Sequence, residues 1–324
     1  STEKPVKEDA GPMATERETA GEPKKKDLVE KKAAIDPDTV EAPEVLFKNW
    51  PKPAYVFFLT GRQHGYIEPC GCTGLENQKG GLARRDTLLT GLRARPWNVV
   101  PIDVGNQVRR FGRQPEIKFQ LTVNSLERMK YQAIGLGPDD LKLPAGELVA
   151  LIAGGAGEST PFLAANVVVL DRSLLPEYQV LKVGNEKIGI TAVLGDSQQT
   201  VLNNDDLVLE PMAAGLKRVW PHLKEAECDT HVLLCYASLD ESRALAKEFP
   251  QFQVVVTAGG GGPPMFEPEV VEPAGTLLIQ VGPKGMYAGV LGVFTDPKER
   301  FRYQRISLDS RFKDSNAMLA QLKV

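Results

Sequence analysis

The chain of 324 residues is 42% hydrophobic and 25% charged, which suits one large domain or two small ones and not a disordered chain. Its formal net charge of -3 sits in the first 43 residues, where 8 Lys/Arg face 11 Asp/Glu, leaving 31 basic and 31 acidic residues in balance beyond them. A neutral body argues against a nucleic-acid binder, and no apolar run approaches the ~20 residues of a membrane span.

Residues 1–46 contain no aromatic residue and are rich in Lys, Glu, Pro and Ala. Such a segment buries too little apolar surface to offset its ordering entropy. A disordered charged tether is therefore expected over 1–52, before a domain at 53–308. The first residue is Ser1 and no signal peptide is present. With a long tether, this reads as a mature exported protein, periplasmic or membrane-tethered on the extracytoplasmic side.

From residue 53 onward, short β-branched runs alternate with helical stretches. Strands are predicted at 55–60, 99–104, 131–136, 162–170, 188–194, 230–236, 252–257, 276–281, 287–295 and 301–308. Helices are predicted at 82–94, 117–128, 139–153, 212–223 and 239–248. Continuous apolar strands separated by helices indicate an α/β layered domain. Residues 309–324 read as a linker and the start of an amphipathic helix, with Met318, Leu319 and Leu322 on one side.

In layered α/β proteins ligands gather beyond the carboxyl ends of the strands. After the first strand come Arg62, His64 and then Glu68-Pro69-Cys70-Gly71-Cys72. After the second comes Asp103-Val104-Gly105-Asn106, and after the third Gly137-Pro138-Asp139-Asp140. Tyr236 ends a later strand, and four glycines, 259–262, follow another. Each is equally compatible with simple turn chemistry.

Taken in order, these blocks resemble the calcineurin-like metallophosphoesterases, in the branch of the 5'-nucleotidases and UDP-sugar hydrolases. Thr60-Gly61-Arg62-Gln63-His64-Gly65 is similar to the family block T-N-D-x-H-G. Gly80-Gly81-Leu82-Ala83-Arg84 is similar to G-G-x-A-R, and Asp103-Val104-Gly105-Asn106 to D-x-G-D. Gly137-Pro138-Asp139-Asp140 stands where the family has G-N-H-E. The stretch 162–167 resembles its strand leading to an Asn, here Asn166. Tyr236 stands at the place of a His, and the four glycines at G-G-H-x-H. The resemblance implies a four-layer αββα sandwich.

It also implies a loss. The family holds two divalent metals with Asp, Asn and His side chains, and the pair clamps a phosphate ester. Here Arg62 replaces an Asp, Asn106 the bridging Asp, Pro138-Asp139 an Asn-His pair, and Tyr236 and glycines the other His. Only His64 matches like for like; His222 and His231 lie elsewhere. A fixed guanidinium repels a dication. At most one divalent ion, held by His64, Asn106, Asp139 and Asp140, is expected. Asp139 and Asp140 equally suit a helix N-terminus.

Cys70 and Cys72, one residue apart in a Gly-rich loop, are redox candidates. They suit a strained, reducible disulfide, a pair of reactive or metal-binding thiols, or a structural loop bridge. The Cys-x-x-Cys-His of a c-type haem is absent. The block resembles that of UshA-like selenoproteins, some of which carry selenocysteine within it. Cys235 ends a strand on the same side and is expected to bring a third sulfur near the pair. Arg62, Arg84, Tyr236 and Asn166 are candidate ligand-binding residues; Arg84 and Arg85 either help a helix N-terminus hold an anion or form a solvated face. The resemblance further implies a multihaem cytochrome domain or another electron-transfer partner. The expected function is a non-hydrolytic thiol-redox or binding module, with a divergent phosphoesterase or a structural docking domain as alternatives.

Overall fold

A computed structural model describes residues 46–71, 74, 77–110, 112–154 and 159–323. The tether lies outside them except for its last few residues, and these are packed. Phe47 is buried, and its ring meets those of Trp50 and Trp97 edge-on at 5.0 and 5.2 Å. The folded domain thus already includes Phe47 and does not wait for residue 53, because Phe47 and Trp50 bring enough apolar surface to order the segment.

In chain order the elements are β1 (Tyr55–Thr60), α1 (Leu82–Arg93), β2 (Val99–Asp103), α2 (Arg113–Arg128), β3 (Ala133–Ile134), α3 (Ala145–Ile152), β4 (Val167–Val169), β5 (Tyr178–Val183) and β6 (Glu186–Leu194). There follow α4 (Asp196–Gln199), β7 (Leu207–Leu209), α5 (Met212–Glu225), β8 (Thr230–Tyr236), α6 (Leu239–Glu248), β9 (Val254–Thr257), β10 (Glu269–Val271), β11 (Thr276–Gln280), β12 (Tyr287–Val293), β13 (Phe301–Ser307) and α7 (Asn316–Leu322). One helix expected over 139–153 is two pieces, because Pro144 separates a 3-10 turn at Asp140–Lys142 from α3. The strand expected over 162–170 shrinks to β4. β5, β7 and β10 escape the sequence reading because they are edge or paired ribbons with mixed exposure.

One sheet has the order β13-β12-β1-β2-β3, the other β10-β11-β9-β8-β6-β5. Side-chain alternation assigns each layer. In β1, Tyr55, Phe57 and Leu59 point into the core between the sheets, where they meet Ile190, Val232 and Val254. Val56 and Phe58 point the other way, into a core with Phe119, Leu126 and Leu148 of the helices α2 and α3. In β8, Val232 and Leu234 face the first sheet, while Leu233 and Cys235 face α5 and α6. The architecture is the four-layer αββα sandwich. The expected helix at the carboxyl end is α7, but it belongs to the domain: Met318 is fully buried against the helical layer, and Ser315 caps the helix at the Met318 N–H.

β1, β2 and β3 run parallel, as do β6, β8, β9 and β11. The loops after β1, β2, β3, β8 and β9 carry the sequence blocks singled out above.

Candidate functional site

The loop after β1 lies along the loop after β2. The N–H groups of Arg62, His64 and Gly65 donate to the carbonyls of Gly105, Asn106 and Gln107 at 2.8, 3.1 and 2.7 Å. Arg62, His64 and Asn106 all adopt left-handed backbone, with φ of 52, 54 and 63°. Such conformations cost energy in non-glycine residues and concentrate at functional sites. Gly105 makes the approach possible: its φ is 100°, and a Cβ there would stand 2.6 Å from the Gly135 carbonyl.

A buried polar network fixes this corner. Asp103 accepts from Thr60 Oγ1 at 2.6 Å, and from the Gly105 N–H and Gln107 Nε2 at 2.8 Å. Fully buried Arg85 stands 3.6 Å from Asp103 and donates to Gln63 Oε1. Arg85 is thus a structural cation inside the sandwich, with neither of the roles weighed for it.

Arg62 reaches across to the second sheet, where its Nη1 donates to the Gly260 carbonyl at 2.9 Å. His64 lies in the field of Arg62, Arg109, Asp139 and Lys284. Burial, then the charges of Arg62 and Arg109, push its pKa down to about 4, outweighing Asp139. The imidazole is neutral at pH 7. Tyr236 shares this space with Arg62, Arg109, Asp139 and Asp140, and burial holds its phenol far above the ordinary range. Arg62, His64, Asp139 and Tyr236 thus lie within electrostatic reach of one another, and Asn106 is hydrogen-bonded to Asp139.

Asp140 does not join them as a ligand. Its oxygens accept from the N–H groups of Asn106, Gln107 and Gly137 at 2.7, 2.7 and 3.0 Å, and of Val108 at 3.2 Å. Burial still raises its pKa to about 7 against the pull of these donors. Asp140 is a clamp on two loops. Asp139 is likewise engaged, by Lys142 Nζ at 2.9 Å and by the Asn106 side-chain amide at 3.3 Å, and its own N–H donates to Asn106 Oδ1.

Two other candidates leave the site. Asn166 is fully buried, and its amide donates to the Leu194 and Glu210 carbonyls and accepts from the Leu194 N–H. It ties β4 to β6. Arg84 donates to the Gln78 carbonyl at 2.6 Å and sits 3.6 Å from Asp314, locking the start of α1 to the chain before α7. Cys235 does not join Cys70 either. It is buried under α6 beside Ser242 and Thr257, and burial pushes its thiol up to about 12. His231 packs against Trp220 and His222 stacks on Tyr178, both away from the site.

Cys70 lines a groove with Tyr66, Ile67 and the α7 residues Leu319 and Leu322. Lys284 Nζ donates to its sulfur at 3.6 Å. Cys72 lies outside the described residues. Three cations here were missed: Lys284, Arg109 and Lys118. Arg109 follows the second strand directly and was legible as charge at a strand end; Lys284 comes from the distant loop before β12 and had no local signal.

Comparison with solved structures decides the fold. A 5'-nucleotidase precursor from Thermus thermophilus superposes with a TM-score of 0.68 at 20% identity, covering 83% of this chain and 57% of its own. The sulfate thiohydrolase SoxB of the same genus gives 0.69 at 13% identity, covering 85% and 60%. The chain has the calcineurin-like metallophosphoesterase fold. Its sequence is similar to a venom 5'-nucleotidase from Crotalus adamanteus, 26% identical over 253 residues, which are 70% of this chain and 42% of that protein. The chain spans 26 to 42% of the length of the curated relatives it matches. No family model matches it.

The metal pair implied by this metallophosphoesterase fold does not fit the residues present. Among the described residues, no group of three or more His, Cys, Asp or Glu side chains is placed to hold a metal ion. The donors that converge are one neutral imidazole and a carboxylate already paired with a lysine, and a guanidinium lies beside them.

Proposed function

We propose that this is a non-hydrolytic metallophosphoesterase-fold module that works by ligand binding or thiol chemistry. One observation carries the reading: Arg62, which stands where the family block has an Asp, bridges to Gly260 in the other sheet and acts on His64 with its charge. A permanent cation there opposes a dinuclear site. The thiol arm of the proposal rests on Cys70, whose sulfur accepts from the Lys284 ammonium in a groove adjoining the site. A Cys70–Cys72 couple at this place suits exchange with an electron-transfer partner such as a multihaem cytochrome domain. A matched solved structure is described as a precursor and a curated relative as a venom protein, which supports an extracytoplasmic placement.

The second reading is a divergent phosphoesterase. It draws on the names of the relatives, apyrases and 5'-nucleotidases, and on the hydrogen-bonded Asn106–Asp139 pair whose charge reaches His64. Assays of the purified chain with nucleotides and phosphodiesters in Mn²⁺, alongside metal analysis, separate the two. The proposal expects no metal-dependent turnover. Turnover that requires Mn²⁺ and disappears in His64→Ala would replace it with the second reading.

A further inference from the structure

At the amino end of β8, away from Tyr236 at its carboxyl end, Cys228-Asp229-Thr230-His231 has the order Cys-x-x-His. Cys228 lies in the turn between α5 and β8, and His231 is the second residue of β8. In the sheet His231 pairs with Gly189 of β6. A Cβ built on Gly189 would meet His231 Cδ2 at 3.1 Å and Cys228 Sγ at 3.2 Å. The imidazole edge and the sulfur therefore face one small gap, which any larger residue at 189 would fill. Leu223 Cδ2, 3.0 Å from the same point, closes the gap on the α5 side.

His231 is 8% exposed, and neither of its ring nitrogens has a hydrogen-bond partner. A buried polar group left unpaired costs free energy that a ligand would recover. The Leu223 carbonyl and the Gln253 side chain act on the ring without closing a hydrogen bond of normal geometry. Trp220 and Phe252 wall it, with ring centroids 5.1 and 6.4 Å away. Burial pushes the pKa of the ring down, so a nitrogen lone pair is present at neutral pH. The residues between the two donors are pinned. The Asp229 carboxylate accepts from the Lys187 N–H at 2.8 Å, and its carbonyl from Arg300 Nη2 at 2.7 Å. Thr230 Oγ1 accepts from the Tyr55 hydroxyl at 2.8 Å and from Arg300 at 2.9 Å. The sulfur and the ring are thus positioned in advance. Cys228 is half-buried and so remains reachable from solvent.

The donor count selects the ion. Asp229 is engaged by Lys187, and among the described residues no third His, Cys, Asp or Glu joins the pair. Zn²⁺ takes at least three protein ligands, and Ca²⁺ takes a shell of oxygens. One sulfur and one imidazole suit a soft monovalent ion that accepts twofold coordination. We propose that Cys228 and His231 form a binding site for Cu(I), which bridges the gap left by Gly189. On binding, the thiol releases its proton as the Cu–S bond forms, the imidazole gives its lone pair to the metal, and copper stays monovalent. The site stands apart from the function proposed for the Arg62 and Cys70 side of the domain.

The probe is Cu(I), titrated anaerobically against bicinchoninate into the full chain carrying Cys70→Ser and Cys72→Ser, so that the Cys-x-Cys loop takes no metal. One Cu(I) per chain is expected to leave the competitor. Adding Cys228→Ser or His231→Gln should weaken retention by at least about tenfold, since losing a group that merely supports a metal ligand already acts on that scale. His222→Gln, on α5 and stacked on Tyr178, should not. Far-UV spectra check that each variant folds. Two readouts need no change at the site itself: Cu(I) should shift the NMR resonances of His231 while leaving those of His64 and His222, and should protect Cys228 from iodoacetamide. Absence of retention, equal retention in Cys228→Ser or His231→Gln, or unmoved His231 resonances overturns the inference. So does Zn²⁺ held in preference to Cu(I), which would require donors beyond this pair.

Discussion

The guanidinium of Arg62 donates to the carbonyl of Gly260 at 2.9 Å, joining the end of β1 in one sheet to the loop after β9 in the other. Gly260 and Gly262 have φ of 82 and 86°, so the loop follows a path that only glycine takes without strain. Two further bonds hold its start, from Gln280 Nε2 to the Gly259 carbonyl and from the Gly259 N–H to Thr257. Gly259 and Gly260 are thus tied down, while Gly261 and Gly262 stay exposed. Arg62→Ala should accelerate amide exchange across residues 260–262 and lower stability by about 1 kcal/mol. Exchange mass spectrometry reads the first effect and urea denaturation the second. Unchanged exchange would mean that the bond does not order the loop.

His64 makes a pH prediction whose sign is definite. Its pKa falls from the ordinary 6.5 to about 4 on folding. Between those values the unfolded chain holds a proton that the folded protein does not. Stability therefore rises with pH across this window and is lost as the pH drops from 6.5 toward 4. Asp140, raised to about 7, acts in the opposite direction over the same range. The difference between wild type and His64→Gln isolates the imidazole: their stability gap should change by roughly 3 kcal/mol between pH 7 and pH 4. With only 3 His in the chain, NMR titration assigns the low pKa directly.

Asp140 accepts from four backbone N–H groups, and its replacement separates a clamp from a metal ligand. A ligand carboxylate is replaceable without great loss of stability when no metal is bound. A clamp on four buried N–H groups is not. Asp140→Ala should cost on the order of 3 to 5 kcal/mol, and Asp140→Asn less, since one acceptor oxygen remains. Chemical denaturation of both variants measures it. A loss under about 1 kcal/mol in the alanine variant would show that the loops do not depend on this side chain.

Much of this fold was readable in advance. β1, β8 and α6 have the predicted limits, because each is a continuous apolar or capped segment bounded by turn residues. The order of the blocks brought Arg62, His64, Asp139 and Tyr236 within electrostatic reach of one another. What a block could not tell is where its side chain turns. Asn166, Arg84 and Asp140 stand at family-like positions, yet each spends its hydrogen bonds on backbone, a choice made by tertiary neighbours far away in the chain. Cys235 shows the same limit through parity. Its alternation with Leu234 was visible, but which face met helices depended on the partner sheet. Lys284 and the α2 cations reach the site through topology alone.

The Cys70–Lys284 contact is the feature by which the thiol arm stands or falls. An ammonium donating to sulfur stabilises negative charge there, and the thiolate is the reacting species in alkylation and exchange. Lys284 also lies over the Tyr66 ring at 5.0 Å, which helps hold the ammonium in place. In a Cys72→Ser background, Lys284→Met should slow alkylation of Cys70 by iodoacetamide about three- to tenfold near neutral pH. Lys284→Arg should recover part of the rate, since the charge returns with a different reach. Cys235 supplies the internal control: buried and raised to about 12, it should react only after denaturation. Peptide mass spectrometry resolves the two sites in one experiment. If Lys284→Met leaves the Cys70 rate unchanged, the ammonium does not activate the sulfur, and ligand binding alone remains as the function of this domain.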